Sequence, residues 1–289
     1  MELGRGESKL YRWWRIDLDV IRRVARSAHA HDISATATQV AFHATFAFFP
    51  ALMVLAAVLT TIDVPWLFTR VLLALQTILP PSAMELVTRV LEEVERGSNW
   101  GIVLSGLSLA LWSAVSGLHV LICAINTAHL VEDDRPYWKR SLLAVLLTLL
   151  LVTLLLAASA LVIGGRWLGV RLSGWFGYDS SFLQLWVLLR WPAILVAVIG
   201  GLLVLYTAAP KLPITPWRAL PGAVLGGGLW VAVTSIFAWY IGNFASYNRV
   251  YGSIGGVIVL MLWLYVGGVV ILLGAELNGV LYRRRYGPP

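Results

Sequence analysis

Six long apolar stretches alternate with polar connections along this chain, and each is nearly free of charged side chains. The stretches cover residues 39–61, 101–131, 141–165, 191–209, 219–248 and 250–275. A helix needs about 20 apolar residues to cross a hydrocarbon layer of roughly 30 Å, and each stretch reaches or approaches that length. The pattern therefore predicts an all-α protein, a polytopic membrane bundle of six transmembrane helices.

The polar segments divide the chain into three parts. Residues 1–38 form an N-terminal segment, residues 39–282 the membrane domain, and residues 283–289 a basic tail. The first connection, 62–99, is the longest. Within it, 66–79 is too short to span and too apolar for a solvated loop, and a capping box with an amphipathic stripe follows. We expect interfacial helices in this outer loop, which either pack on the bundle or gate a cavity.

Lysine and arginine are unequally distributed between the two sides of the predicted bundle. With both termini in the cytoplasm, the side outside holds only Arg70, Arg89, Arg96, Arg166, Arg171 and Arg249, with Arg190 at its rim. The basic ends and the connections 132–140 and 210–218 then lie inside. This bias predicts that both termini are cytoplasmic. It also accounts for the net charge of +7 without a nucleic-acid partner.

Residues 12–26 have the pattern of an amphipathic helix. Trp13, Ile16, Val20 and Val24 share one face, and basic residues lie away from it. A basic helix of this kind is typical of the inner headgroup layer, where it either anchors the first span or gathers anionic lipid.

Polar residues inside the predicted spans are candidates for function because hydrocarbon disfavours them. His43 and Pro50 lie two turns apart on one face of the first span, either around an interior space or in a helix contact. Asn126 shares a face with His119 and is typical of an amide that joins helices. Glu276 is the one acid that any predicted span touches, and it lies within two turns of Arg283.

The last two spans carry closely spaced glycines, among them Gly222, Gly226, Gly252 and Gly256, which favour tight helix packing. The aromatic and amide-rich junction between these spans is typical of the outer membrane interface. The candidate functional or structural residues are His43, Pro50, Asn126, Tyr247, Asn248, Tyr251, Gly252, Gly274, Glu276 and Asn278.

The sequence predicts no metal site and no cofactor. Cys123 is the single cysteine, which excludes an intrachain disulfide and a multi-cysteine zinc site. His29-Ala30-His31-Asp32 matches the start of a zinc-hydrolase HxHxDH run, but Ile33 and Ser34 stand where that run needs its last ligands. We interpret the match as coincidence. The sequence has no nucleotide-binding P-loop.

Several ordered motifs across residues 30–285 resemble those of the YihY/BrkB-type inner-membrane proteins, once labelled ribonuclease BN. The motifs are Ala41-Phe42 with Phe49-Pro50, Ala124-Ile125-Asn126, Tyr206 to Pro210, Pro221-Gly222-Ala223, Ser246-Tyr247-Asn248 with Tyr251-Gly252, and Leu272-Leu273-Gly274-Ala275-Glu276. Phe42, His43 and Ala47 depart from the tyrosines and serine usual in the first motif. The resemblance implies a six-helix bacterial inner-membrane protein with a role in envelope integrity or lipid movement. It also implies that the ribonuclease label is a misassignment.

We expect a non-enzymatic transporter or flippase that handles a lipid or another amphiphile for maintenance of the cell envelope. Two alternatives stay open: an ion-coupled transporter of a small solute, and an envelope scaffold that transports nothing. The expected partners are membrane lipids and not nucleic acid, with a second copy of the chain or an envelope protein as further candidates. The cytoplasmic acid run Glu132-Asp133-Asp134 has the pattern of a solvated turn rather than a nuclease metal site.

Overall fold

The computed structural model describes residues 17–61, 100–176, 180–243 and 247–287. These residues form helices and connections, with no strand among them. The helices are α1 (Leu18–Ala30), α2 (Ile33–Thr61), α3 (Trp100–Ala128), α4 (Tyr137–Phe176), α5 (Ser180–Ala208), α6 (Pro216–Asn243) and α7 (Tyr247–Tyr286). The all-helical prediction is confirmed, and α2 to α7 each contain most of one predicted apolar stretch. The predicted interfacial helices of the loop 62–99 lie outside the described residues.

Several of the described helices are long and apolar enough to cross a membrane. The spans found within them are Leu104–Ala128, Tyr137–Leu154, Pro216–Phe237 and Val257–Tyr286, and Pro192–Ala208 is a shorter apolar segment in α5. The chain is therefore a multi-pass membrane protein. The total of six spans and the cytoplasmic position of the termini stay predictions.

The helices α2 to α7 close into a ring. Each packs on the next along the chain, and α7 returns to pack on α2. The connections 129–136 and 209–215 are short, so neighbouring helices run antiparallel. One end of the ring therefore gathers the start of α2, the ends of α3 and α5, the starts of α4 and α6, and the end of α7. We call it the basic end, because arginines and lysines of α1, of both short connections and of the α7 terminus lie there.

Among the residues whose burial the structure describes, the core lies in the half of the ring nearest the basic end. Its fully buried members include Ala37, Ile125, Leu205, Tyr206 and Leu272. The Tyr206 hydroxyl donates a hydrogen bond to the Ile271 carbonyl oxygen at 2.6 Å, which satisfies a phenol that would otherwise be costly to bury. Small residues allow this close approach between helices, as in other membrane bundles.

Glycines bring α5, α6 and α7 together. A Cβ at Gly222 of α6 would overlap the Gly274 carbonyl oxygen and the Asn278 side-chain amide of α7. A Cβ at Gly226 would lie 3.1 Å from Leu202 Cδ1 of α5. The α6/α7 contact predicted from the glycines thus exists at Gly222, and Gly226 adds a contact with α5. The surroundings of Gly252 and Gly256 lie outside what the structure describes.

Residues 18–26 of the predicted amphipathic segment belong to α1, which packs on the end of α7, and residues 12–16 lie outside the described residues. Val20 is buried with Leu277, Val280 and Leu281, whereas Ile21 on the neighbouring face is exposed. Part of the predicted apolar face therefore contacts protein, in addition to any contact with lipid. Because α1 packs there, the turn that follows it, residues 31–32, lies against the wall of the bundle.

Candidate functional site

The most unusual contact in the described protein joins the α1–α2 turn to the last helix. His31 Nδ1 lies 2.6 Å from Glu276 Oε1, although the two residues are 245 positions apart in sequence. Glu276 is 2% exposed and the His31 side chain 17%. The turn depends on Asp32, whose φ of 45° lies in the left-handed region that non-glycine residues rarely adopt. A histidine is thereby held against a carboxylate that α7 places inside the bundle.

Only one oxygen of the Glu276 carboxylate has a partner. Glu276 Oε2 is buried and has no hydrogen-bond partner within the described part of the chain. Arg283, which the sequence offered as a partner for this acid, points elsewhere: its Nη1 donates to the Ala128 carbonyl oxygen and its Nη2 to Ser27 Oγ at 3.2 Å. The partner of Glu276 is thus His31, and a second buried polar contact is left unfilled.

His129 lies near the same acid, just past the end of α3. It is 1% exposed, and its Nδ1 lies 2.8 Å from the Ile125 carbonyl oxygen. Desolvation on burial lowers the pKa of His129, an effect that the Ile125 hydrogen bond and the nearby Glu276 charge only partly oppose. The imidazole is therefore neutral, with Nδ1–H as the donor to Ile125, and it brings no compensating charge to Glu276.

A cavity of about 350 Å³ lies beside the His31–Glu276 pair. It is enclosed by the start of α2, the last turns of α3 and the α7 residues around Glu276. Its wall is more apolar than polar, and Thr36, Gln39, His119, Cys123 and Thr127 contribute to the polar part. Because Cys123 and Thr127 are also exposed, the cavity opens to the surroundings of the bundle.

A polar stripe leads along α3 to this cavity. Its members are exposed or half-exposed and recur every three or four residues, which places them on one face of the helix: Ser108, Trp112, Ser116, His119, Cys123 and Thr127. The opposite face carries Leu121 and Ile125 of the buried core. The stripe therefore lies on the side of α3 that is directed away from the core.

The hydroxyls of the polar stripe are satisfied within their own helix. Ser108 donates to the Leu104 carbonyl oxygen and Ser116 to that of Trp112, each at 2.8 Å. Such back-bonding lets a hydroxyl exist in a membrane without a partner from another helix. The oxygen lone pairs stay available to a passing polar group.

Arg140 lies at the edge of the cavity. Its Nη1 is 3.9 Å from the sulfur of Cys123, a weak acceptor, and its buried Nε has no partner among the described residues. At the same edge, the ring of Tyr137 stacks on His119 with 6.0 Å between centroids. Glu276, which has an unsatisfied oxygen, thus lies in the cavity wall, and Arg140, which has an unsatisfied nitrogen, contacts the wall residue Cys123.

Two asparagines join elements at the basic end. The Asn126 side-chain oxygen accepts from the Lys211 backbone N–H at 2.9 Å, which ties α3 to the α5–α6 connection. The Asn278 side chain accepts from the Gly222 N–H at 2.9 Å and donates to the Ala219 carbonyl oxygen at 3.1 Å. Gly274, one turn earlier on α7, forms the close approach to Gly222 described above. These three candidate residues hold helices together and do not line the cavity.

The remaining candidates lie away from the cavity. The His43 carbonyl oxygen accepts from Ser113 Oγ at 2.8 Å, and Pro50 lies in α2 where that helix passes Gly106 of α3. Both therefore belong to the α2/α3 contact. Tyr247, Asn248, Tyr251 and Gly252 lie in the first turns of α7, and their side chains are outside what the structure describes.

Two acids of the run Glu132-Asp133-Asp134 are paired with basic groups. Asp133 Oδ1 lies 3.2 Å from Arg135 Nε, and Asp134 pairs with Lys211. No group of three or more potential metal ligands occurs within residues 17–61, 100–176, 180–243 and 247–287.

Sequence reasoning missed three residues of this site. His31 entered only through a coincidental zinc motif, and its partner could not be predicted from a residue so far away in sequence. In the sequence, Arg140 bears only on the orientation of the spans, and Cys123 only on the exclusion of disulfides and zinc sites. A detectable signal existed for the polar stripe, because serine, histidine, cysteine and threonine recur with a helical period through the second apolar stretch.

Comparison with known proteins adds a family to this geometry. The model of the family described as Virulence factor BrkB matches residues 24–288. The chain belongs to this family. The match covers the His31–Glu276 pair, the cavity and all of α2 to α7. This BrkB-family chain is accordingly a multi-pass bacterial membrane protein.

The relatives of the BrkB-family chain have names of two kinds, one that mentions ribonuclease and one that mentions only a membrane protein. A ribonuclease-like protein named YfkH from Bacillus subtilis is 33% identical over 261 residues, which are 89% of this chain and 93% of the relative. A UPF0761 membrane protein from Tolumonas auensis is 32% identical over 167 residues, 56% of this chain and 55% of the relative. One from Xanthomonas campestris is 37% identical over 87 residues, only 20% of its own length. No solved structure matches the chain significantly.

Proposed function

We propose that this BrkB-family protein moves a lipid or another amphiphile across the bacterial inner membrane and so serves the cell envelope. The observation that carries the proposal is the polar stripe of α3, which runs on the exposed side of a membrane-crossing helix and ends at a partly polar cavity. Polar side chains within a membrane normally face the bundle interior or water. An exposed row of them instead offers a polar surface for a head group whose acyl chains stay in the bilayer.

The size and polarity of the cavity favour a head group over a whole lipid. Its volume of about 350 Å³ is at the lower end of the range of roughly 300–1,000 Å³ found for small-molecule sites. The cavity lies at the basic end, which the charge bias assigns to the cytoplasm. We infer that it is the place where a head group enters or leaves the polar stripe.

We propose no catalytic activity for the chain. The ribonuclease-like name belongs to the Bacillus relative. In this chain the cytoplasmic acids Asp133 and Asp134 are each paired with a basic residue, whereas metal-dependent hydrolysis needs acids that converge on an ion. The sequence lacks a P-loop, so the energy for transport comes from a lipid gradient, an ion gradient or another protein.

Reconstitution into vesicles tests the proposal. Wild type is expected to accelerate the movement of a fluorescent phospholipid between leaflets above the rate in empty vesicles. Ser116→Leu should slow this movement because it places an alkyl chain in the middle of the polar stripe.

Thr153→Leu is the matched control. Thr153 is an exposed hydroxyl on α4 that also bonds its own helix, to the Leu149 carbonyl oxygen at 2.7 Å, but it lies off the stripe. It should leave the rate unchanged. Wild-type rates equal to those of empty vesicles would overturn the proposal. Equal slowing by both variants would show that the polar stripe has no particular role in lipid movement.

A second candidate function is ion-coupled transport of a small solute, which the buried His31–Glu276 pair favours. An acid that is buried in a membrane bundle and only partly paired is typical of the ion pathways of transporters. In vesicles with an imposed pH gradient, proton movement that requires Glu276 but leaves phospholipid movement at the background rate would favour this function over the first.

A further inference from the structure

Two charged groups of opposite sign, each with one unsatisfied atom, lie in or next to the wall of the same cavity. Glu276 is 2% exposed, lies in the cavity wall and has one oxygen without a partner in the described protein. Arg140 is in contact with the wall residue Cys123, and its Nε has no acceptor there either. An unsatisfied polar atom that is buried costs free energy, so each group favours a ligand that completes it.

Charge balance favours a ligand that carries both signs. The carboxylate of Glu276 contacts His31, and the neutral His129 lies nearby. Arg283 is close enough to interact with the charge of Glu276, although its Nη1 and Nη2 donate to Ala128 and Ser27. A cation alone would bring a positive charge beside Arg283, and an anion alone a negative charge beside Glu276. A zwitterion adds no net charge to the site, which avoids burying an uncompensated charge.

We propose that this cavity binds the head group of a phospholipid with a primary amine, with the ammonium on Glu276 Oε2 and the phosphate at Arg140. The proposal rests on the lipid-handling function given above and names its substrate class. A primary ammonium donates N–H bonds to a carboxylate, and a guanidinium donates to phosphate oxygens. A trimethylammonium group has no N–H, so the same geometry discriminates against choline lipids.

The chain carries its own reporter for this site. Cys123 is the single cysteine, is exposed, and lies in the cavity wall. A head group in the cavity should therefore slow its reaction with a water-soluble maleimide. The experiment compares labelling rates of the full chain in nanodiscs made of phosphatidylglycerol alone, of phosphatidylglycerol with phosphatidylethanolamine, and of phosphatidylglycerol with phosphatidylcholine.

We expect phosphatidylethanolamine to slow labelling by about tenfold, because a hydrogen bond to a charged group is commonly worth at least that factor in affinity. Phosphatidylcholine should leave the rate close to that in phosphatidylglycerol alone. Glu276→Gln should abolish the difference between the lipids. Glu132→Gln, which neutralises an exposed acid outside the cavity, should retain it. Arg140→Gln should reduce the protection relative to its own rate in phosphatidylglycerol.

Equal labelling of wild type in discs with and without phosphatidylethanolamine would overturn the proposal, as would protection that Glu276→Gln leaves intact. If Glu276→Gln does not fold, the wild-type contrast between ethanolamine and choline lipids decides alone. Soluble glycerophosphoethanolamine separates a lipid from a free solute. Protection by it, with none from the lipid, would contradict a lipid ligand.

The outcome is independent of transport. Loss of Cys123 protection with lipid movement intact would reject the head-group assignment and leave the proposed function standing. Protection of Cys123 without lipid movement would reject the proposed transport function and leave the head-group assignment standing.

Discussion

At the scale of single residues, the site depends on a carboxylate that the fold buries with only one of its oxygens satisfied. His31 holds Glu276 Oε1 at 2.6 Å, and the turn at Asp32 sets the position of that histidine. Removing one partner of a buried pair costs more than removing both, because the remaining polar group loses its hydrogen bond without regaining water.

Glu276→Leu is therefore expected to lower the free energy of unfolding by about 1–3 kcal/mol, since it leaves His31 without its acceptor. Glu276→Gln keeps an oxygen for His31 and should cost less. Chemical unfolding in detergent micelles measures both. The double variant His31→Leu with Glu276→Leu should recover part of the loss. Wild-type stability in Glu276→Leu would show that the pair contributes nothing to the fold.

At the scale of elements, the helices approach each other through small residues. Gly222 is a clear case, because a Cβ there would meet the backbone of α7, which cannot move aside as a flexible side chain could. Gly228 lies on the same helix, and a Cβ there would meet nothing within 4 Å.

Gly222→Ala should destabilise the protein by roughly 1–3 kcal/mol through overpacking of the α6/α7 contact. Gly228→Ala should be neutral, or stabilising by up to about 1 kcal/mol, because alanine is the better helix former. Thermal unfolding of the two variants makes the comparison. Similar melting temperatures for both would mean that α6 and α7 are not in close contact.

The docking of α1 is a second element-scale feature. Val20 is 1% exposed against α7, whereas its neighbour Ile21 is 54% exposed. Val20→Asn should release α1 and make the bonds after Arg22 and Arg23 more sensitive to trypsin. Ile21→Asn should not. Limited proteolysis followed by mass spectrometry distinguishes them, and equal sensitivity of the two variants would contradict the packing of α1 on α7.

The extent of the helices shows what the sequence could and could not predict. The six apolar stretches were predictable because the thickness of the hydrocarbon layer dictates their length. The end of α7 was not, because its last turns carry polar residues. The helix continues to Tyr286 instead of ending near residue 275, so Glu276 lies well within it. The hydropathy of a sequence predicts only the part of a helix that lies in hydrocarbon. The last turns of α7 instead pack on α1, and hydropathy does not predict such a contact.

The candidate site was harder to predict than the fold. Glu276 and Asn278 could be selected because polar residues near a span are few. His31 could not, since its role depends on a turn and on a contact between distant parts of the chain. The polar stripe was visible in sequence as a helical period, but only the structure shows that it lies opposite the core.

At the scale of the whole molecule, the closed ring of α2 to α7 places the cavity at the basic end. The charge bias predicts that this end faces the cytoplasm. In a Cys123→Ala background, cysteines at Ser98 and Ser180 should react with an impermeant thiol reagent in cells with a permeabilised outer membrane. A cysteine at Ser8 should not react. Labelling of Ser8, or protection of both other positions, would reverse the orientation.

The central claim is that the polar stripe of α3 provides a polar path through the membrane. The most direct test introduces Ser108→Cys and Ser116→Cys singly into the Cys123→Ala protein in nanodiscs and measures their reaction with a water-soluble maleimide. Leu149→Cys is the control, since Leu149 is exposed and lies as many residues from the start of α4 as Ser116 lies from the end of α3. Both stripe positions should react readily and the control should not. Protection of all three positions alike would contradict a polar path along α3.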